Sequence, residues 1–143
     1  MTMTTRGGVL CRAIETCISP DDDAIAALGS LFVADAIVWS PNLHTIGVPM
    51  LADALAVREE AFSDVGINVS SVGVVGNRGF VEFQIAATFS GPFVIDDDVV
   101  IEPNGQDLLL GAAAIADFQG DKISALRAYF DDSTLLEQML APA

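Results

Sequence analysis

Basic residues are scarce in this chain of 143 residues: Lys122 is the single lysine, and lysine plus arginine total 6 against 20 acidic residues. With the one histidine neutral, the formal net charge is −14. Such a surplus of acid repels phosphate backbones and anionic lipid headgroups, so neither nucleic acid nor a membrane surface is expected as a partner. Long apolar runs are missing too. Met1 to Gly8 is polar, the run from Val9 is broken by Arg12 and Glu15, and no stretch approaches the ~20 residues of a membrane span. A cytoplasmic location is therefore expected. Cysteine is limited to Cys11 and Cys17. On a predicted helix they stand about 9 Å apart along the axis, too far for a mutual disulfide. With no second cluster of Cys or His, a zinc site is not expected and both thiols read as small apolar side chains. No cofactor is expected. The glycines from Gly73 to Gly79 sit in a predicted hairpin ahead of a strand, so they form neither a phosphate-cradling loop nor a dinucleotide fingerprint.

What the chain does have is apolar residues, 52% of the total. That content is too high for a disordered acidic tail, and the length suits one domain over 1–143 with a sizeable core. Acid gathers at Asp21-Asp22-Asp23, Asp96-Asp97-Asp98 and Asp131-Asp132. These runs lack the alternating ligand spacing and glycine of a calcium loop, and read as solvated turns and helix starts that keep the chain soluble.

Periodicity divides the chain in two. Val9, Ala13, Ile14 and Cys17 share one face of a first helix. Ser19-Pro20-Asp21-Asp22-Asp23 caps a second, whose stripe is Ile25, Leu28, Leu31 and Phe32 and which Asp35 closes. Ala36 to Ser40 is short, β-branched and aromatic, hence a strand; a loop through Asn42, His44 and Gly47 follows. Pro49 opens a third helix running to about Phe62. Then the period changes. Ile67 to Val75, Phe80 to Phe89, Leu108 to Phe118 and Ile123 to Phe130 read as successive antiparallel strands separated by glycine turns. Gly91 to Gly105 is a long loop suited to a rim or lid, and Asp132-Ser133 starts a last helix carrying Leu135, Leu136, Met139 and Leu140. Helices followed by strands predict an α+β fold, a strongly bent antiparallel sheet wrapped around N-terminal helices with one open end. Such an end is a natural ligand pocket.

Three stretches in the right order carry a family resemblance. They are Leu31-Phe32-Val33-Ala34-Asp35-Ala36-Ile37-Val38-Trp39 with Gly47 behind it, Phe80-Val81-Glu82-Phe83 leading to Thr88-Phe89-Ser90-Gly91-Pro92-Phe93, and Asp117-Phe118-Gln119-Gly120-Asp121-Lys122-Ile123 continuing through Arg127-Ala128-Tyr129-Phe130-Asp131 to Leu140. With these, the chain resembles the nuclear-transport-factor-2-like cone fold, above all its polyketide-cyclase-like (SnoaL-like) members. Limonene-epoxide hydrolases and ketosteroid isomerases are more distant relatives. The resemblance implies a cone-shaped domain, a homodimer paired through the outer sheet face, and a small apolar partner such as a polyketide-, terpenoid- or steroid-like molecule. It does not carry over a catalytic set. Where the hydrolases and cyclases hold an Asp between an Arg and an aromatic, this chain has Ala128. The hydrolases' Arg and Asp on the strand after the glycine turn align with Ile85 and Ala87, and their Tyr and Asn with Val38 and Ser40. The cyclases' His falls near Ala114, within a stretch, Leu108 to Ala116, that has no ionisable side chain; the isomerases' general-base Asp falls at Ser40.

Two functions stay open. One is a cofactor-independent isomerase or cyclase, less readily an epoxide hydrolase, with His44, Asp107 or Asp131 as base: His44 because its ordinary pKa lies near neutrality, the aspartates because they end strands near the mouth. The other is a non-catalytic ligand-binding or dimeric assembly module. In either, strand alternation places Phe83, Ile85 and Ala87, Leu126, Ala128 and Phe130, and Ala112, Ala114 and Ala116 on the faces that line the pocket; the resemblance adds Val38 and Ser40, and Trp39 reads as core or dimer contact, with stacking on a ligand in the pocket as the alternative. If the faces are inverted, Glu82, Gln84, Arg127 and Tyr129 line it instead. Whether small alanines leave a void or Phe and Leu fill it is open as well.

Overall fold

A computed structural model describes residues 5–96 and 98–142; Asp97 of the second acidic run, and the start of the polar N-terminal stretch, lie outside them. Helix α1, Arg6–Ile18, begins earlier than its apolar stripe because the Thr5 hydroxyl accepts the Gly8 N–H at 3.0 Å. It buries Val9, Leu10, Ala13 and Ile14. Asp21 caps α2, Asp22–Ala26, by accepting from the Ala24 N–H at 2.7 Å, and α3, Leu28–Leu31, follows directly.

The second helix is thus shorter than its apolar stripe predicts. From Phe32 the chain is already strand β1, Phe32–Ser40, and Asp35 is an exposed strand residue, not a helix stop. Phe32 pairs with Ile123 on a distant strand, and this ladder overrides the local helical spacing. The predicted loop after Ser40 is a hairpin: β2, Leu43–Ile46, pairs antiparallel with β1. Helix α4 covers Val48–Ala56 with Pro49 in its first turn. It ends short of Phe62, which opens β3, Phe62–Val75.

Strands β4, Arg78–Phe89, β7, Asp107–Gln119, and β8, Lys122–Phe130, lie where the alternation predicts them. Gly76 and Gly120 start the two-residue hairpin turns at φ +59° and +64°, a region glycine enters without a Cβ penalty. The segment 91–105 is not all loop. It contains the hairpin of β5, Phe93–Asp96, and β6, Val99–Ile101, and buries Phe93. Its far end is fastened by the Asn104 amide, which donates to the carbonyls of Gln138, Met139 and Ala141 at 2.9–3.0 Å, at the C-terminus of α5, Asp132–Leu140.

The main sheet has the order β2-β1-β8-β7-β4-β3. Every neighbouring pair is antiparallel except β1 with β8, which run parallel, an arrangement that the long stretch of chain between them permits and a tight hairpin would not. Register shifts interrupt the pairing in β3 between Ser63 and Gly66 and between Val69 and Ser71, and in β7–β8 at Asp117/Phe118. Such bulges bend a strand and increase its twist. Asp64, at φ +50°, sits inside the first. The concave face packs on α1, α3 and α4 through Leu10, Leu28, Leu31, Leu51, Leu55, Val81, Phe118 and Leu126. A second buried cluster joins Phe89, Phe93, Leu108 and Leu110 to Leu135 and Met139 of α5. No helix among the described residues is long and apolar enough to cross a membrane.

Candidate functional site

Between those two clusters the concave face leaves a cavity of about 140 Å³. Its walls come from alternate residues of three strands: Phe83, Ile85 and Ala87 of β4, Leu108, Leu110 and Ala112 of β7, and Leu126, Ala128 and Phe130 of β8. Ile14, Cys17 and Ile18 of α1, Leu55 of α4 and Leu135 of α5 close other sides. Period-two alternation sends the intervening residues outward. Glu82, Gln84 and Tyr129 are exposed on the convex face, where the Ser70 hydroxyl donates to Glu82 at 3.0 Å and Asp117 pairs with Arg78 at 2.9 Å and Arg127 at 3.1 Å. The residues that alternation sends inward thus line the concave cavity, while Glu82, Gln84 and Tyr129 border a separate polar depression on the convex face.

Val38 and Ser40 of β1 also line the cavity, whereas Ala114 is 1% exposed within the packed core and does not. Trp39 borders it, but its register partner is Arg127, and its ring stacks on His44 at 5.6 Å and tilts against Tyr129 at 5.3 Å, on the convex side. His44 is thereby placed outside the cavity, exposed on edge strand β2. Asp107 is also exposed and accepts from the Thr88 hydroxyl at 3.1 Å. Asp131 caps α5, accepting from the Thr134 hydroxyl at 2.9 Å and from the N–H groups of Thr134 and Ser133. The Thr134 hydroxyl, then those backbone donors, hold its carboxyl below the usual carboxylate range. The structure does not bring the three candidate bases together, and none of them is in the cavity wall.

The polar part of the wall is Ser40, Asn42, Cys17 and Arg58. Arg58 follows α4 and belongs to no motif or periodic stripe in the sequence. Its Nη2 donates to the Asn42 carbonyl at 2.7 Å, Nη1 to Asn42 Oδ1 at 3.2 Å and Nε to the Val94 carbonyl at 3.4 Å. Its guanidinium lies over the Phe93 ring at 4.6 Å. The Ser40 hydroxyl donates to the same Asn42 Oδ1 at 3.1 Å. Burial lowers the Arg58 pKa and the nearby Asp132 charge opposes that shift; an arginine stays protonated all the same. The only sequence signal was a lone cation among apolar neighbours and acids, Val57-Arg58-Glu59-Glu60, in a chain with few cations. Part of the Cys17 surface faces the void, yet the thiol is enclosed by protein, and burial pushes its pKa up to about 12. Among the described residues no group of three His, Cys, Asp or Glu side chains could hold a metal ion.

A bent sheet closed by helices over an apolar cavity, with Arg58 in its wall, defines a cone-type α+β fold. The sequence matches the SnoaL-like polyketide cyclase family over residues 9–139, and the chain belongs to that family. Similar solved structures agree on the fold. A protein from Jannaschia sp. CCS1 assigned to the SnoaL-like polyketide cyclases is 16% identical, with 96% of this chain and 93% of that one covered at a TM-score of 0.81. One from Acidithiobacillus ferrooxidans assigned as a polyketide cyclase is 15% identical, with both chains covered fully at 0.75. A Catenulispora acidiphila protein with a ketosteroid isomerase-like fold, solved with trimethylamine, is 16% identical, with 96% of each chain covered at 0.73. Among curated proteins no match is found.

Proposed function

We propose that this chain binds a small apolar molecule inside its cone and that the cavity wall itself supplies no general base. The observation that carries this reading is the wall's chemistry: its ionisable side chains are Cys17, with a pKa of about 12, and the permanently charged Arg58. Neither accepts a proton near neutral pH. What the wall does supply is shape, dryness and one set of fixed donors, which suits recognition.

The family match favours a second reading, a cofactor-independent isomerase or cyclase. There Arg58 and Ser40 would hold a developing oxyanion while the proton moves to solvent or within the substrate. One titration series separates the two. Small aryl and terpenoid compounds are added to the full chain and methyl resonances of Ala112, Ala128 and Leu126 are followed by NMR. Saturable shifts are expected, and their absence up to millimolar ligand overturns the binding reading. Deuterium exchange α to a bound ketone, above the solvent background, establishes the catalytic one. His44→Ala and Asp107→Ala are expected to leave ligand affinity within about twofold, since both groups lie outside the cavity. Pairing of two copies through the convex face, where Phe80, Leu109 and Tyr129 are exposed, belongs to the same proposal. Sedimentation showing only monomer at micromolar concentration refutes that part.

A further inference from the structure

We infer that Arg58, with Asn42 and Ser40, is the anchor for an acceptor oxygen on a single apolar ring, which makes the ligand a monocyclic aryl or small terpenoid-like compound with one oxygenated end. The inference rests on the cavity being a ligand site and adds the size and polarity of what fills it. Size follows from volume. About 140 Å³ is comparable to the engineered apolar cavity of ~150 Å³ that takes up benzene. One ring fits such a space; the fused rings of a steroid or a large polyketide exceed it.

Polarity follows from how the arginines of this chain are partnered. On the convex face Arg78 and Arg127 share the Asp117 carboxylate, so their charge is answered within the protein. Arg58 is held differently. Among the described residues its three hydrogen bonds go to neutral oxygens, two from Asn42 and one from Val94, and its face is covered by Phe93. A guanidinium has five N–H donors, so two remain beyond those bonds. Asp132 acts on it only at longer range. A partly desolvated cation with donors beyond those bonds, in a wall whose other polar side chains are neutral, gains most from an oxygen acceptor delivered by the ligand. Asn42 and Ser40 fix its position, because the Asn42 carbonyl and side-chain oxygens grip both terminal nitrogens while Ser40 holds the Asn42 amide oxygen.

The test compares three probes of matched size on the full-length chain by calorimetry: ethylbenzene, acetophenone and benzoate. At least one oxygenated probe is expected to bind roughly tenfold tighter than ethylbenzene. Preference for acetophenone identifies a carbonyl-type ligand and preference for benzoate a carboxylate; either supports the inference. In Arg58→Met the three affinities are expected to converge to within about twofold while ethylbenzene binding persists. Equal binding of all three to the wild-type chain overturns the anchor and leaves the cavity reading intact. Failure of every probe, ethylbenzene included, overturns the cavity reading and the anchor with it. Arg58 also ties Asn42 to Val94, so the variant is checked for a cooperative thermal transition. If it does not fold, the wild-type comparison decides alone.

Discussion

Replacing Ala128 by leucine asks the cavity to accept three more carbon atoms. Ala128 stands on the concave face of β8, opposite Ala114 in the register, and its side chain borders the void. Transfer of apolar groups from water gives about 0.8 kcal/mol per methylene, hence about 2.4 kcal/mol for three carbons placed in existing space. Ordering the leucine rotamer offsets about 0.5–1 kcal/mol of that, leaving a net stabilisation of about 1.5 kcal/mol. If the side chain met a filled core instead, overpacking would cost about 1–3 kcal/mol. The two cases differ in sign, so the measurement is decisive. Urea unfolding at equilibrium is the assay: with a slope of about 2 kcal/mol per molar, the midpoint should rise by roughly 0.7 M at unchanged slope. The same variant should lose most affinity for any ring-sized ligand, because the leucine takes the ligand's place. A fall in the midpoint at unchanged slope refutes the claim that the cone holds empty apolar space.

Three further outcomes follow from named contacts. Burial works to raise the Asp117 carboxyl, but the hydrogen bonds and charges of Arg78 and Arg127 outweigh it and hold the pKa below the usual range. A group depressed in this way contributes stability above its unfolded pKa that is lost as pH falls through the folded value. Thermal stability should therefore decline below about pH 4, less steeply in Asp117→Asn, and an identical acid limb in the two proteins rejects the assignment. Cys17, with its pKa near 12, should resist iodoacetamide at pH 7.5 in the native chain and react in denaturant, as mass spectrometry of the alkylated peptides would show; prompt native labelling contradicts its enclosure. Gly91→Ala should destabilise by about 1–3 kcal/mol, since a Cβ there overlaps the Glu60 carbonyl while the Gly91 N–H bonds Ala61 at 3.1 Å. A neutral result in urea unfolding would mean that 60–61 and 91 do not approach as closely as described.

Where local chemistry decides an element, the sequence shows it; where a distant partner decides, it does not. The alternating strands β4, β7 and β8 and the capped starts of α2 and α5 follow from residues within each segment. Phe32 falls on the helical stripe, and β1 claims it because β8 supplies a partner from 91 residues away in sequence, Ile123; the register then shifts before pairing resumes at Ile37. Leu43 to Ile46 and Phe93 to Ile101 look like loop for a related reason. The first is one strand of four residues and the second two strands of four and three, all with hydrogen bonds that go to a neighbour, and runs that short have too few side chains to display a period.

The candidate site divides along the same line. Its apolar wall repeats every second residue, so Phe83, Ile85 and Ala87 or Leu126, Ala128 and Phe130 can be assigned to one face from sequence. Its polar side has no repeat to read. Arg58 meets Asn42 from 16 positions away and Val94 from 36, and only the folded chain brings an arginine after α4, an asparagine in a hairpin turn and a carbonyl of β5 to one point. His44 misled for the converse reason: imidazole is a common general base as a residue type, but the side chain's orientation is set by the pairing of Trp39 with His44 on β1–β2, which turns both rings to the convex side. Residue type alone therefore favours the exposed histidine as a base, whereas the charged side chain in the cavity wall is an arginine, which donates hydrogen bonds and stays protonated. That distinction is what favours the proposed recognition reading: among the described residues of the wall, the group whose charge persists at neutral pH is a hydrogen-bond donor that could orient a ligand's oxygen and does not act as a base.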